Sequence, residues 1–115
     1  MPRFDLSLPD LRDYAPAVRE PADFDDFWAQ TLTASRAVAA PPVVTPHPTP
    51  LTTVEVFDVT FSGYAGDPVK AWLTLPRGRT QPLPAIVEYL GYGGGRGLPT
   101  ERLAWASAGY AHLVM

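Results

Sequence analysis

A chain of 115 residues has the length of one domain or of part of one. With 46% hydrophobic and 11% aromatic residues it can build a packed core, which excludes a disordered polar tail. Its net charge of −3 offers no basic stripe to a phosphate backbone, so nucleic acid is excluded as the expected partner.

The absence of cysteine removes a disulfide framework, a thiolate zinc site and a thiol nucleophile. The first residues, MPRFDLSLPDLRDYAP, are broken by prolines and acids where a signal peptide needs an uninterrupted apolar stretch. The longest apolar runs fall short of a membrane span. A soluble, intracellular protein without a membrane partner is the expectation.

Residues 1–20 read as an arm whose Phe4, Leu6, Leu8 and Leu11 can pack onto something else. PADFDDFWAQTLTASRAV then predicts a helix. Asp23 is placed to cap it, and Asp25 and Asp26 bring negative charge to the end that the helix dipole favours. Phe24, Phe27, Trp28, Thr31 and Leu32 recur at helical spacing and form a largely apolar face. The three aspartates resemble a metal or acid/base cluster, but helix starts select such residues for capping alone.

AAPPVVTPHPTP, residues 39–50, is proline-dense and reads as an extended connector, with His47 a solvated loop imidazole. This divides the chain into an arm and helix (1–38), the connector (39–50) and the start of a sheet (51–115). LTTVEVFDVTFS and VKAWLTLP alternate apolar with polar or small residues, and GYAGDP joins them as a hairpin turn. Pro76 closes the second strand, and RGRTQPLP forms a loop.

AIVEYL (85–90) is an almost unbroken apolar run, as expected of a strand covered on both faces. After it comes GYGGGRGLP, so that residues 88–99 hold five of the nine glycines. Pro99 suits the first turn of a short helix over TERLAWASA, Gly109 suits a left-handed C-cap, and YAHLVM begins another buried strand. Strand, helix and strand in this space make a crossover with parallel strands. The fold class is therefore α/β, an antiparallel hairpin leading into a parallel sheet. The chain closes on AHLVM with no turn to finish the strand, which suggests a truncation or chain break at Met115.

In such sheets ligands collect at the carboxyl ends of the strands, where Gly91 to Gly97 should lie. The dinucleotide fingerprint G-x-G-x-x-G fails here: from Gly91 its last position falls on Arg96, and from Gly93 on Leu98. The P-loop pattern lacks its Lys-Ser or Lys-Thr pair. Phosphate binding would rest on Arg96 and free amides before the helix. Acyl transfer fits the composition better, because it needs preorganised backbone N–H donors where a carbonyl oxygen becomes negative. In α/β-hydrolases one such donor lies in the loop after the third strand. With two hairpin strands before it, AIVEYL counts as the third.

Several segments together resemble the acetyl xylan esterase/cephalosporin-C deacetylase family: FDLSLPDLRDY, DFDDFW, VTFSGYAGDPVKAWLTLP, and YLGYGGGRGLP followed by WASAGYAHLVM. The resemblance runs in order along nearly the whole chain. It implies the N-terminal part of an α/β-hydrolase fold in a serine esterase that removes acetyl groups from short acetylated xylo-oligosaccharides and from cephalosporin C. It further implies a cytoplasmic, ring-like hexamer that needs no cofactor or metal. Tyr92 matches the family's first oxyanion donor through its backbone N–H, and its ring is expected to line the acyl pocket. Gly91, Gly93, Gly94 and Arg96 support the loop. Arg96 can either bind substrate or pin the loop through carboxylate or carbonyl contacts, the second being the commoner role.

No nucleophile elbow G-x-S-x-G is present. Ser107 sits in WASAG with Trp105 where the first glycine belongs, and Ser35 and Ser62 lack the context. His112 reads as a packed core imidazole, and Trp72 and Trp105 as core or interface residues. The family's Ser, Asp and His are thus expected C-terminal to Met115, which would leave these residues inactive by themselves. Other α/β-hydrolase chemistry, on a peptide or lactone, and a non-catalytic assembly or binding module remain as alternatives.

Overall fold

The computed structural model describes residues 5–115. Phe4, expected to pack with the arm, lies outside the described residues. The helices are α1 (Leu8–Asp13), α2 (Phe24–Ala37) and α3 (Ala104–Ser107). The strands are β1 (Val43–His47), β2 (Val54–Ser62), β3 (Pro68–Pro76), β4 (Ala85–Glu88) and β5 (Ala111–Val114). They form one sheet in the order β1-β2-β3-β5-β4. β1-β2, β2-β3 and β3-β5 run antiparallel, and β4-β5 run parallel. The α/β class, the hairpin and the parallel pair around a helix all stand.

The arm contains a helix that its prolines and acids concealed. Ser7 caps α1, its hydroxyl accepting the Asp10 amide at 3.4 Å. α2 begins where the sequence places it, but the Asp23 side chain makes no capping bond. The Asp23 carbonyl instead accepts the Phe27 amide at 2.8 Å. Two serines tie this region to the sheet: Ser35 Oγ accepts from the Ala65 amide at 3.2 Å, and Ser62 Oγ from the Ala40 amide at 3.0 Å. No residue of α2 is buried, and Trp28 keeps 46% of its surface exposed.

The connector reading needs correction. Residues 43–47 form β1, an edge strand in register with β2, with Pro46 opposite Phe57 and His47 opposite Val56. An edge position tolerates proline because one side of the strand needs no ladder bond. His47 is therefore a strand residue, its ring 4.9 Å from that of Trp72, and not a solvated loop imidazole. The extra strand also makes AIVEYL the fourth strand of the chain, so the count that called it the third fails. β4 lies at the sheet's other edge with Ala85 and Val87 exposed, and so is not covered on both faces by the described residues.

β2 and β3 turn over a 3-10 segment, Tyr64–Gly66, in which Ala65 and Gly66 take φ of +52° and +87°. The helix after the glycine loop is a single turn starting at Ala104, not a longer one admitting Pro99. Arg102 interrupts it at φ +54°. Its carbonyl faces His112 Nδ1 at 3.1 Å and its guanidinium pairs with Glu88, so tertiary contacts override local helix preference. α3 closes as expected: Gly109, at φ +96°, donates to the Ala106 carbonyl at 3.1 Å, and Tyr110 to the Trp105 carbonyl at 3.0 Å. This is the Schellman pattern, which a side chain at Gly109 would strain.

Register and strand alternation put Val56, Asp58, Trp72, Thr74, His112 and Val114 on one face of the sheet. All but Asp58 are buried, and they form the centre of a small core. The radius of gyration, 20.2 Å, far exceeds the roughly 13 Å of a compact domain of this length. α1 and α2 bury no residue and stand away from that core.

Candidate active-site loop

The chain leaves β4 at Glu88 and re-enters regular structure at Ala104, and the glycine-rich turn lies between. Its start is held by the last rungs of the parallel pair: the Leu90 amide donates to the Met115 carbonyl, and the Met115 amide to the Glu88 carbonyl, each at 3.1 Å. The turn therefore sits at the carboxyl end of a parallel strand, where α/β sheets place ligands.

Within residues 91–97 only Gly94 donates its backbone N–H to another described group, the Gly91 carbonyl at 3.0 Å. The amides of Tyr92 and Gly93 are thus available to an outside acceptor. The Tyr92 side chain is fully exposed, and Gly93 takes φ +79°. Bare, unpaired N–H groups beside a strand end are what stabilising a developing oxyanion requires.

Arg96 faces inward instead. Its Nη1 donates to Asp58 Oδ1 at 2.8 Å and to the Ala71 carbonyl at 2.9 Å, with Nη2 3.4 Å from Asp58 Oδ2. The guanidinium lies 3.8 Å over the Trp72 ring, a cation–π arrangement. Trp72 Nε1 donates to the Gly97 carbonyl at 2.9 Å. Hydrogen bonds from Arg96, and secondarily from Lys70, hold the Asp58 carboxyl below its ordinary value of 3.8, against the opposing effect of burial. With Arg96 so engaged and α3 starting only at Ala104, the phosphate reading loses both its cation and its helix N-terminus.

Further along, the Glu101 carboxylate accepts the Leu98 amide at 3.0 Å. Glu88, at the loop's base, pairs with Arg102 and approaches His112 Nε2 at 3.1 Å. His112 is 1% exposed and each of its ring nitrogens faces an oxygen, the Arg102 carbonyl or the Glu88 carboxylate, the arrangement of a structural tie inside the core. Trp72 is likewise buried, but Trp105 is half-exposed and edge-on to Tyr110.

Asp58 is the residue that the sequence reading missed. It reads as an ordinary polar position in an alternating strand, 38 residues before the arginine it holds. Ser35 and Ser62 act as acceptors for backbone amides, and Ser107 ends α3. A cleft of about 250 Å³ lined by His47, Glu55, Phe57 and Arg77 shares no residue with the glycine loop. Among the described residues no cluster of three or more potential metal ligands occurs, and no helix is long and apolar enough to cross a membrane.

A family model described as Acetyl xylan esterase (AXE1) matches residues 1–115. Comparison with curated proteins finds no match. Among solved structures, an acetyl xylan esterase from Paenibacillus sp. R4 superimposes with a TM-score of 0.85 at 38% identity, over 95% of this chain and 35% of its own. Acetyl xylan esterase 1 from Thermoanaerobacterium sp. JW/SL YS485 gives a TM-score of 0.83 at 27% identity, over 97% of this chain and 35% of its own. The chain thus spans about a third of the length of these relatives.

Proposed function

The chain belongs to the acetyl xylan esterase family, and from that premise we propose that it supplies the oxyanion loop of a serine esterase that deacetylates short acetylated xylo-oligosaccharides and cephalosporin C. The observation that carries the reading is a loop at the carboxyl end of β4 in which only Gly94 donates its amide to another described group, leaving those of Tyr92 and Gly93 among the unpartnered ones. Tyr92 provides the donor, as the family resemblance implies.

The reaction would run as acyl transfer. A serine hydroxyl, its proton taken by a histidine, attacks the acetyl carbonyl, and the carbonyl oxygen gains the negative charge. The Tyr92 N–H donates to that oxygen. The charge is concentrated there only in the tetrahedral intermediate, so the bond strengthens as the barrier is climbed. Collapse breaks the C–O bond to the sugar, whose oxygen takes the proton. Water then releases acetate and restores the serine. The Tyr92 ring, exposed beside its own amide, lines the acyl pocket.

No serine, aspartate or histidine of these 115 residues has the setting of a catalytic triad, and we assign the triad to the part of the relatives that this chain does not span. Residues 1–115 by themselves are accordingly inactive. Cytoplasmic placement and a ring-like hexamer belong to the same proposal, through the resemblance. The test is acetate release from acetylated xylo-oligosaccharide and from cephalosporin C by the complete protein, with and without an organophosphate that labels active serines. Organophosphate-sensitive release supports the reading. Release from neither substrate, or release indifferent to the inhibitor, overturns it.

A further inference from the structure

We propose that Asp58 and Trp72 are positioning residues for the oxyanion donor, acting on the Tyr92 amide through Arg96 and Gly97. The inference rests on the reading of Tyr92 given above, and extends it from the loop to the middle of the sheet.

The loop is held from two sides. On one side the ladder between β4 and β5 ends with the Leu90 amide on the Met115 carbonyl at 3.1 Å. On the other, two successive loop residues are gripped by two side chains from neighbouring strands. Asp58 of β2 and Trp72 of β3 are direct cross-strand partners, so their side chains stand together on the same face. Asp58 takes the edge of the Arg96 guanidinium, with contacts of 2.8 and 3.4 Å, and the Trp72 ring takes its flat face at 3.8 Å. The Ala71 carbonyl accepts a further Arg96 bond at 2.9 Å, and the Trp72 indole N–H donates to the Gly97 carbonyl at 2.9 Å. Trp72 is itself buried, with the His47 ring 4.9 Å from its own.

Residues 91–95 therefore bridge two fixed posts, with only the Gly94-to-Gly91 bond of their own. Four of the five are glycine, the residue whose backbone loses most freedom on ordering. A donor on such a segment is preorganised only if both posts are rigid. Removing the Arg96 side chain leaves the far post resting on the single Trp72 bond to the Gly97 carbonyl, before the Leu98 amide bonds to Glu101. The Tyr92 N–H then samples directions away from the developing oxyanion, and a misplacement of about 1 Å is enough to slow an enzyme severely. Arginine suits the post because its planar fork meets a carboxylate and a carbonyl at once while its face lies on an indole, which lysine cannot do.

This assignment differs in a measurable way from Arg96 as a substrate ligand or as a simple stabiliser of the fold. The experiment uses the complete protein and an acetyl ester, with kcat expressed per active site titrated by an organophosphate. Asp58→Asn, nearly isosteric, should lower kcat by about tenfold and leave KM within about twofold, and Arg96→Gln should lower kcat by about a hundredfold. Arg96→Lys should recover part of that loss. The deciding arm combines Asp58→Asn with Tyr92→Pro, which removes the donor itself. With no donor left to position, Asp58→Asn should then cost nothing further.

Equal fold-losses from Asp58→Asn in the native and Tyr92→Pro backgrounds would overturn the proposal. So would a changed KM at constant kcat, the mark of a substrate ligand, or an unchanged kcat per titrated site. Should Arg96→Gln not fold, Asp58→Asn and Arg96→Lys decide the matter. If Tyr92→Pro itself leaves kcat near normal, the oxyanion reading has failed instead, and the two failures are distinct.

Discussion

Replacing Gly93 by alanine isolates what the loop's conformation contributes. Gly93 sits at φ +79°, and a Cβ built there meets nothing within 4 Å. The substitution therefore carries no steric clash with neighbours, and its cost is the left-handed backbone alone, about 1–2 kcal/mol. Gly95 is the internal control: its Cβ would also meet nothing within 4 Å, and its φ lies outside the left-handed region. Gly95→Ala removes freedom from the unfolded chain and should be neutral or stabilising by roughly 0.5 kcal/mol. Gly93→Ala shares that unfolded-chain gain, so the expected gap between the two variants is the left-handed cost itself, about 1–2 kcal/mol. Gly93→Asn should fall between them, since asparagine visits this region more readily than alanine. Melting curves of the complete protein read the gap, and kcat on an acetyl ester reads its consequence. If Gly93→Ala relieves strain by turning the peptide between Tyr92 and Gly93, kcat should fall by about tenfold while Gly95→Ala stays near native. Identical melting temperatures and kcat values for the two alanine variants would refute the reasoning.

Asp58 is held below its ordinary value of 3.8 first by its hydrogen bond from Arg96, so its contribution is fully present above that pH and is lost as pH falls through the lowered folded value. Melting temperature should drop through this acid window, and Asp58→Asn should flatten that part of the profile; an unaltered profile in the variant would contradict the ion pair. His112→Leu takes the ring partner from the Arg102 carbonyl and leaves Glu88, part-exposed, with its Arg102 ion pair, and should destabilise by about 1–2 kcal/mol in denaturant titration. A variant as stable as the parent would dismiss the histidine as a structural tie. Deleting residues 1–35 from the complete protein should lower its melting temperature or split the proposed hexamer, because Phe27, Trp28 and Leu32 present an apolar face that the described residues leave exposed. An unchanged melting temperature and sedimentation coefficient would contradict this.

The elements with strong periodicity were legible in the sequence. α2 announces itself through Phe24, Phe27, Trp28 and Leu32, and the β2-β3 hairpin through alternation around GYAGDP, because these patterns follow from backbone geometry alone. β1 was hidden because Pro46 and its neighbours signal a connector, and only pairing with β2 along a tolerant edge turns VVTPH into a strand. The helix expected over TERLAWASA shrank to one turn because Arg102 is tied to Glu88 and His112, contacts that no local pattern encodes. AIVEYL reads as a strand suited to burial on both faces, and its pattern says nothing of its edge position. For the site, glycine content and position located the loop. Its anchors were not readable, since Asp58 and Trp72 lie 38 and 25 residues from their partners Arg96 and Gly97. Such pairings exist only once the sheet brings the strands together.

The most direct test of the central claim compares two substitutions at Tyr92 in the complete protein. Tyr92→Ala removes the ring and keeps the N–H, whereas Tyr92→Pro removes the N–H. Circular dichroism and melting temperature must first show that both variants are folded. On an acetyl ester the expected result is an altered acyl preference with kcat largely retained for Tyr92→Ala, and a kcat lower by about a hundredfold or more for Tyr92→Pro. A folded Tyr92→Pro protein with near-normal kcat would contradict the assignment of this amide to the oxyanion hole.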